Sequence, residues 1–194
     1  MIRPILILAL AGLLSACSTQ PSRFYHLSAA PMAGAPASPA AGAASRRVVG
    51  LDTVNIPAYL DRPEIVLRAP GSRLVVKEFD RWGGPMDDMV TSTLAQNLNV
   101  ALPDMEVVQL PLVRDIPLQQ VVEVSLDRFD AAENGPAVLE ARWRIFDRGG
   151  DHLKRMGRTV AEEPVTKPGD PSGVADSLSR TLDRLSSDIA AALR

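Results

Sequence analysis

One cysteine and two histidines in 194 residues exclude a disulfide framework and leave little material for a metal centre. Aromatic residues are also scarce, at 4% of the chain, so any core must rest on Val, Leu, Ile and Ala. The formal net charge is -2 and no basic run or basic-aromatic stripe occurs, which argues against nucleic acid as a partner. No apolar run approaches the roughly 20 residues that a membrane-spanning helix needs. Internal repeats and coiled-coil heptads are missing as well. Catalytic signatures are equally absent: there is no His-Glu-x-x-His, no Gly-x-Ser-x-Gly and no phosphate-binding glycine loop. His26 and His152 read as ordinary edge or surface residues. Asp87 and Asp88 diverge by about 100° on a helix and suit the dipole at its N-terminus. The expectation is a non-enzyme without cofactor or metal ligands.

What is present begins at the N-terminus. Met1-Ile2-Arg3 precedes an apolar run from Pro4 to Leu14 that closes on Ser15 and Ala16, the layout of an export signal. The tetrad Leu14-Ser15-Ala16-Cys17 resembles the lipobox read by lipoprotein signal peptidase. It implies cleavage after residue 16 and acylation of Cys17, which removes the liability of a lone thiol in an exported protein. Several acyl chains give stable anchoring, at about 0.8 kcal/mol per buried methylene. Ser18 replaces the Asp of the enteric inner-membrane retention signal, so the expected address is the periplasmic side of the outer membrane.

Residues 17–23 read as a lipidated tether and 24–194 as a single domain interrupted by a flexible Ala/Pro-rich loop at 28–45, a composition unable to bury a core. The part after the loop, about 150 residues, suits one core. Strands are expected at Phe24–Leu27, Val48–Val54, Leu74–Lys77 and Met105–Val108. Alternation of apolar and polar residues predicts an antiparallel meander over Val121–Val160, with turns at Asn134-Gly135 and Gly149-Gly150. A helix is predicted over Met86–Ala101, opened by Pro85 and stopped by Pro103. A second helix starts after Asp170-Pro171-Ser172, with the apolar stripe Val174, Leu178, Leu182, Leu185, Ile189 and Leu193. The expected class is α+β, with two helices on one face of a mainly antiparallel sheet.

Two segments are more elaborate than such a fold requires. One is Asn55-Ile56-Pro57-Ala58-Tyr59-Leu60-Asp61-Arg62-Pro63-Glu64-Ile65-Val66-Leu67-Arg68, and the other is Glu78-Phe79-Asp80-Arg81-Trp82-Gly83-Gly84-Pro85-Met86. Together with Asn97-Leu98 they resemble the signatures of the PqiC (YmbA) family, the ABC-type transport auxiliary lipoproteins. Gly83, Gly84 and Met86 depart from the Ala, Glu and Leu of the family pattern. The resemblance implies a periplasmic lipoprotein that serves as docking or adaptor subunit for an MCE-domain protein in lipid transport between inner and outer membranes, supporting membrane integrity. Alternatives are a structural lipoprotein bracing another envelope machine, or a lipid-binding protein acting alone. A homo-oligomer is compatible with either.

Tyr59, Leu60, Asp61, Arg62, Pro63, Arg81 and Trp82 are the candidate partner-binding residues. Tyr, Trp and Arg are enriched at hot spots. The same residues also make a turn and a core lid without any partner, because Pro63 fixes backbone and Asp61 accepts local hydrogen bonds. The sequence supports both readings, with Tyr59 and Arg62 expected on the binding side and Trp82 on the structural side.

Overall fold

The structure, a computed structural model, describes residues 20–31, 46–112, 116–148 and 150–194. The expected signal sequence, Cys17 and positions 32–45 of the Ala/Pro-rich stretch lie outside the described residues. In chain order the elements are β1 (Arg23–Tyr25), β2 (Arg47–Leu51), a short 3-10 turn (Ala58–Leu60), β3 (Glu64–Arg68), β4 (Leu74–Trp82), α1 (Met86–Ala101), β5 (Met105–Gln109), β6 (Gln120–Ala132), β7 (Ala137–Asp147), β8 (Leu153–Glu163) and α2 (Pro171–Leu193).

Strand β6 is the spine of the sheet. One of its edges carries the antiparallel meander with β7 and β8. The other edge is shared by two parallel neighbours: β2 pairs at Gln120–Val122 and β3 pairs at Ala131–Ala132. β5 continues outward from β2, while β4 and then β1 continue from β3. The α+β class holds and the long ladders are antiparallel as expected. The short parallel joints along β6 were not legible from alternation.

Both helices cover one face. Val122, Val124, Leu139, Ala141 and Ile145 of the meander are buried beneath Val174, Leu178, Leu182, Leu185 and Ile189 of α2, and Val90, Leu94 and Leu98 of α1 join the same core, with α1 packed against α2 and β5. Each such aliphatic side chain contributes about 1.5–3 kcal/mol relative to exposure. Asp170 caps α2 by accepting from the backbone N–H of Gly173 at 3.3 Å, and Pro171 occupies its first turn. The opposite face of the meander is open, with ion pairs such as Arg142–Asp127 (2.7 Å) across neighbouring strands. Exposed pairs of this kind contribute little to stability.

Three local expectations change. The loop expected to start at Ser28 starts later, because Leu27 enters the core, Ser28 N–H donates to Ser179 Oγ at 3.0 Å and Ala30 N–H donates to Asn97 Oδ1 at 2.8 Å. Residues 27–30 thus form a strap against α1 and α2. Ile65-Val66-Leu67, read as part of a motif, is the heart of strand β3. The second motif begins as strand: β4 runs to Trp82 and α1 follows after Gly83-Gly84-Pro85.

Candidate docking site

The first motif fills the gap between the two parallel branches on the edge of β6. Asn55 bridges Ser125 there, donating its N–H to Val124 O at 3.0 Å and accepting from Leu126 N–H at 2.8 Å. The 3-10 turn follows, with Leu60 buried in the core as its anchor. Tyr59 is half-buried and donates its hydroxyl to Asp130 Oδ2 at 2.7 Å. Arg68 stacks its guanidinium 5.7 Å from the Tyr59 ring centroid and donates to Asp130 at 2.7 Å, while Arg128 donates to the same carboxylate at 3.0 Å.

This cluster shifts its groups in opposite directions. Burial, helped by the hydrogen bond to Asp130, pushes the Tyr59 phenol up to about 12. Burial alone raises Asp130, but hydrogen bonds from Arg68, Tyr59 and Arg128 outweigh it and hold the carboxyl below its ordinary range.

Beyond this framework the two motifs meet. Trp82 N–H donates to Pro63 O at 2.7 Å, and Glu64 stands opposite Arg81 in the ladder. The Glu64 carboxylate accepts from Arg62 Nε at 3.1 Å and lies 3.7 Å from Arg81. The Arg62 hydrogen bond chiefly, with the charge of Arg81 adding to it, holds Glu64 below the usual carboxylate range. Trp82 itself is buried, consistent with its expected structural side.

Two surface hollows flank this junction. One, of about 410 Å³, lies between Asp61-Arg62-Pro63 and Gly83-Gly84-Pro85, floored by Trp82 and Met86. The other, of about 540 Å³, is lined by Arg62, Glu64, Phe79 and Arg81 on one side and by Gln20 and Ser22 of the tether on the other. Gly83 N–H donates to Tyr25 O at 2.8 Å, and a Cβ at Gly83 would sit 3.3 Å from that same carbonyl. At Gly84 a Cβ would meet only Met89 Cγ at 3.9 Å, so packing does not impose the departure from the family pattern.

Of the candidate residues, Asp61, Arg62 and Pro63 are exposed, Arg81 is partly exposed, and all four border the hollows. Leu60 and Trp82 belong to the core, and the hydroxyl of Tyr59 is engaged within the framework. Sequence reasoning missed Asp130 and Arg128; Glu64 and Arg68 stood inside the first motif but were not among its candidate partner-binding residues. The signal for Asp130 was a carboxylate inside an otherwise apolar strand end. Among the described residues no cluster of His, Cys, Asp and Glu is arranged to hold a metal, and no helix is long and apolar enough to cross a membrane.

Residues 25–190 match the model of the family described as ABC-type transport auxiliary lipoprotein component. The intermembrane transport lipoprotein PqiC of Escherichia coli is 25% identical over 112 residues, 58% of this chain and 58% of that protein. The chain thus aligns with little more than half of that relative's length. Among solved structures, an uncharacterised protein superposes with a TM-score of 0.72 at 21% identity, covering 90% of this chain and all of the other. A protein from Xanthomonas campestris gives 0.66 at 15% identity, covering 87% and 93%. These two likenesses concern the fold.

Proposed function

Because the chain belongs to the ABC-type transport auxiliary lipoprotein component family, we propose that it is the docking subunit through which an MCE-domain protein is held at the envelope membrane during lipid transport. A membrane-associated transport auxiliary role follows from the family, which is not an enzyme family. The finer reading is that Cys17 carries the lipid, that the outer membrane receives it, and that the partner belongs to a system moving lipid between the two membranes.

The observation that carries the docking reading is the convergence of both motifs on Glu64, with Arg62 of that group bordering the open hollow between Asp61-Arg62-Pro63 and Gly83-Gly84-Pro85. A motif needed only for a turn has no reason to align its exposed arginines with those of a second motif. Here Arg62 and Arg81 flank one carboxylate, with Pro63 and Pro85 giving a rigid apolar rim. Buried framework below and exposed Arg above is the anatomy of a hot-spot patch. Tyr59 and Asp130 act as positioning groups that fix the loop.

The test is affinity capture of the mature protein from detergent-solubilised envelope, with identification of what accompanies it. Recovery of an MCE-domain protein, lost in Arg62→Ala and Arg81→Ala variants, is the expected result. Recovery of the same companions by wild type and both variants would refute the assignment of this surface. Cys17→Ala should abolish acyl labelling and leave uncleaved precursor; labelling that survives the change overturns the anchor.

A further inference from the structure

We propose that the outer face of β1 and β4, carrying Phe24 and Phe79, is a membrane seat that rests in the headgroup layer of the bilayer holding the lipid. The inference rests on the proposed acylation of Cys17. Phe24 is 68% exposed and Phe79 36% exposed, in a chain with few aromatics to place. The ladder puts them on one face. Phe24 stands opposite Arg81 in the parallel register, so their side chains leave the sheet on the same side, while Arg23 and Asp80 form an ion pair on the other. Phe79 and Arg81 line the same hollow on that outer side.

The tether then identifies what meets this face. Gln20 lies against the hollow, and only residues 18 and 19 separate it from Cys17. Whatever their conformation, three residues reach at most about 11 Å. The glycerol of the anchor therefore cannot be more than a short distance from Phe79 and Arg81. An exposed pair of phenylalanines beside a fixed lipid is driven into the interface by the same burial of apolar area that seats amphipathic segments.

Charge is not the driving term. Arg62 and Arg81 are matched in the hollow by Glu64 and Glu78, so the seat takes zwitterionic headgroups as readily as anionic ones. The arrangement leaves open the hollow between Asp61-Arg62-Pro63 and Gly83-Gly84-Pro85, and the Arg62–Glu64–Arg81 group stands between that hollow and the seat. β1 runs parallel to β4, so the tether approaches from the Val76–Phe79 side, whereas Gly83-Gly84-Pro85 lies beyond the far end of β4.

The experiment uses the full acylated protein reconstituted in phosphatidylcholine vesicles that contain headgroup-level nitroxide lipids. Single variants Phe24→Cys, Phe79→Cys and Gln96→Cys each carry a thiol-linked fluorophore; Gln96 is exposed on α1, on the other side of the sheet. Expected is quenching at 24 and 79 several-fold stronger than at 96, unchanged by high salt. Equal quenching at the three sites, in protein that floats with the vesicles, overturns the seat while leaving the anchor intact. Protein that neither labels with acyl chains nor floats overturns the anchor reading and the seat with it. Shielding of 24 and 79 only after addition of a captured partner assigns the face to protein and overturns the seat as well.

Discussion

Tyr59 donates to Asp130 across 71 residues of sequence, and this 2.7 Å bond ties the first motif to the spine of the sheet. The contact lets the loop above it stay rigid while Asp61 and Arg62 remain exposed. It also makes the loop sensitive to pH at both extremes.

Asp130→Asn should destabilise the domain by about 3 kcal/mol, the lower end for a broken buried pair, because Arg68 and Arg128 reach solvent once released. The folded pKa of Asp130 is depressed, so its contribution is present above the ordinary carboxylate value near 4 and lost as pH falls through the depressed value. Tyr59 behaves oppositely. Its pKa rises to about 12, so its contribution is complete below its ordinary value near 10 and disappears as pH climbs through about 12. Urea midpoints across pH should show a flattened acid limb in Asp130→Asn and a flattened alkaline limb in Tyr59→Phe.

The exposed and buried members of the motifs should separate cleanly. Trp82→Ala removes a core aromatic and should lower stability by roughly 3 to 5 kcal/mol. Arg62→Ala and Arg81→Ala should leave the denaturant midpoint in place and weaken partner binding about tenfold or more. Measuring both quantities on all three variants decides the matter. A lowered midpoint with full binding in the arginine variants would return the motif to a purely structural role.

Gly157 is required by its neighbour across the ladder. A Cβ there would come within 2.7 Å of Trp143 Cε2 and Cη2, and the ring is held by Trp143 Nε1 donating to Thr159 Oγ1 at 3.3 Å. Gly157→Ala should therefore cost about 1–3 kcal/mol. In a Trp143→Leu background the same change should cost much less, a coupling that a double-mutant cycle of thermal unfolding can read.

The strap and the stretch after it should differ in importance. Deleting 33–44 should shift the thermal midpoint by a few degrees at most, since loop length enters stability only logarithmically. Asn97→Ala removes the acceptor for Ala30 N–H and the donor to Asp183 Oδ1, and should lower stability by about 1–2 kcal/mol. Calorimetry on the two variants tests the distinction, and a large loss from the deletion would contradict it.

Much of this architecture was readable because period-two and period-3.6 patterns are unambiguous where one face is buried. Val122, Val124 and Leu126 alternate against polar neighbours, and α1 is bounded at Met86 and Ala101 as its pattern predicts. The reading fails where another constraint intervenes. A register shift between Leu126 and Arg128 changes the phase of β6, so the facing of Asp130 could not be counted from Val122. β3 was hidden because Ile65, Val66 and Leu67 are all buried, which erases alternation. The strap was hidden by composition: Ser28 and Ala30 resemble the linker that follows, and their partners Ser179 and Asn97 lie far along the chain. The candidate site was half legible. Its exposed arginines stood out as motif residues, but the carboxylates that organise them are only visible once distant strands are brought together.

The three-residue strand β1 has a mechanical consequence. If the domain is pulled from its N-terminal side by a partner moving against a fixed membrane, the load enters through Arg23–Tyr25 before it reaches any other element. Its three ladder positions are backed by the Arg23–Asp80 ion pair, by the hydroxyl of Tyr25 on the same carboxylate and by Leu27 wedged beneath the helices. Tension is thus handed to the sheet through β4 and to the helix pair through Ser179 and Asn97. The sheet and the helix pair share the strain; the spine lies off its first path, which runs past the docking hollow through Tyr25 and Gly83.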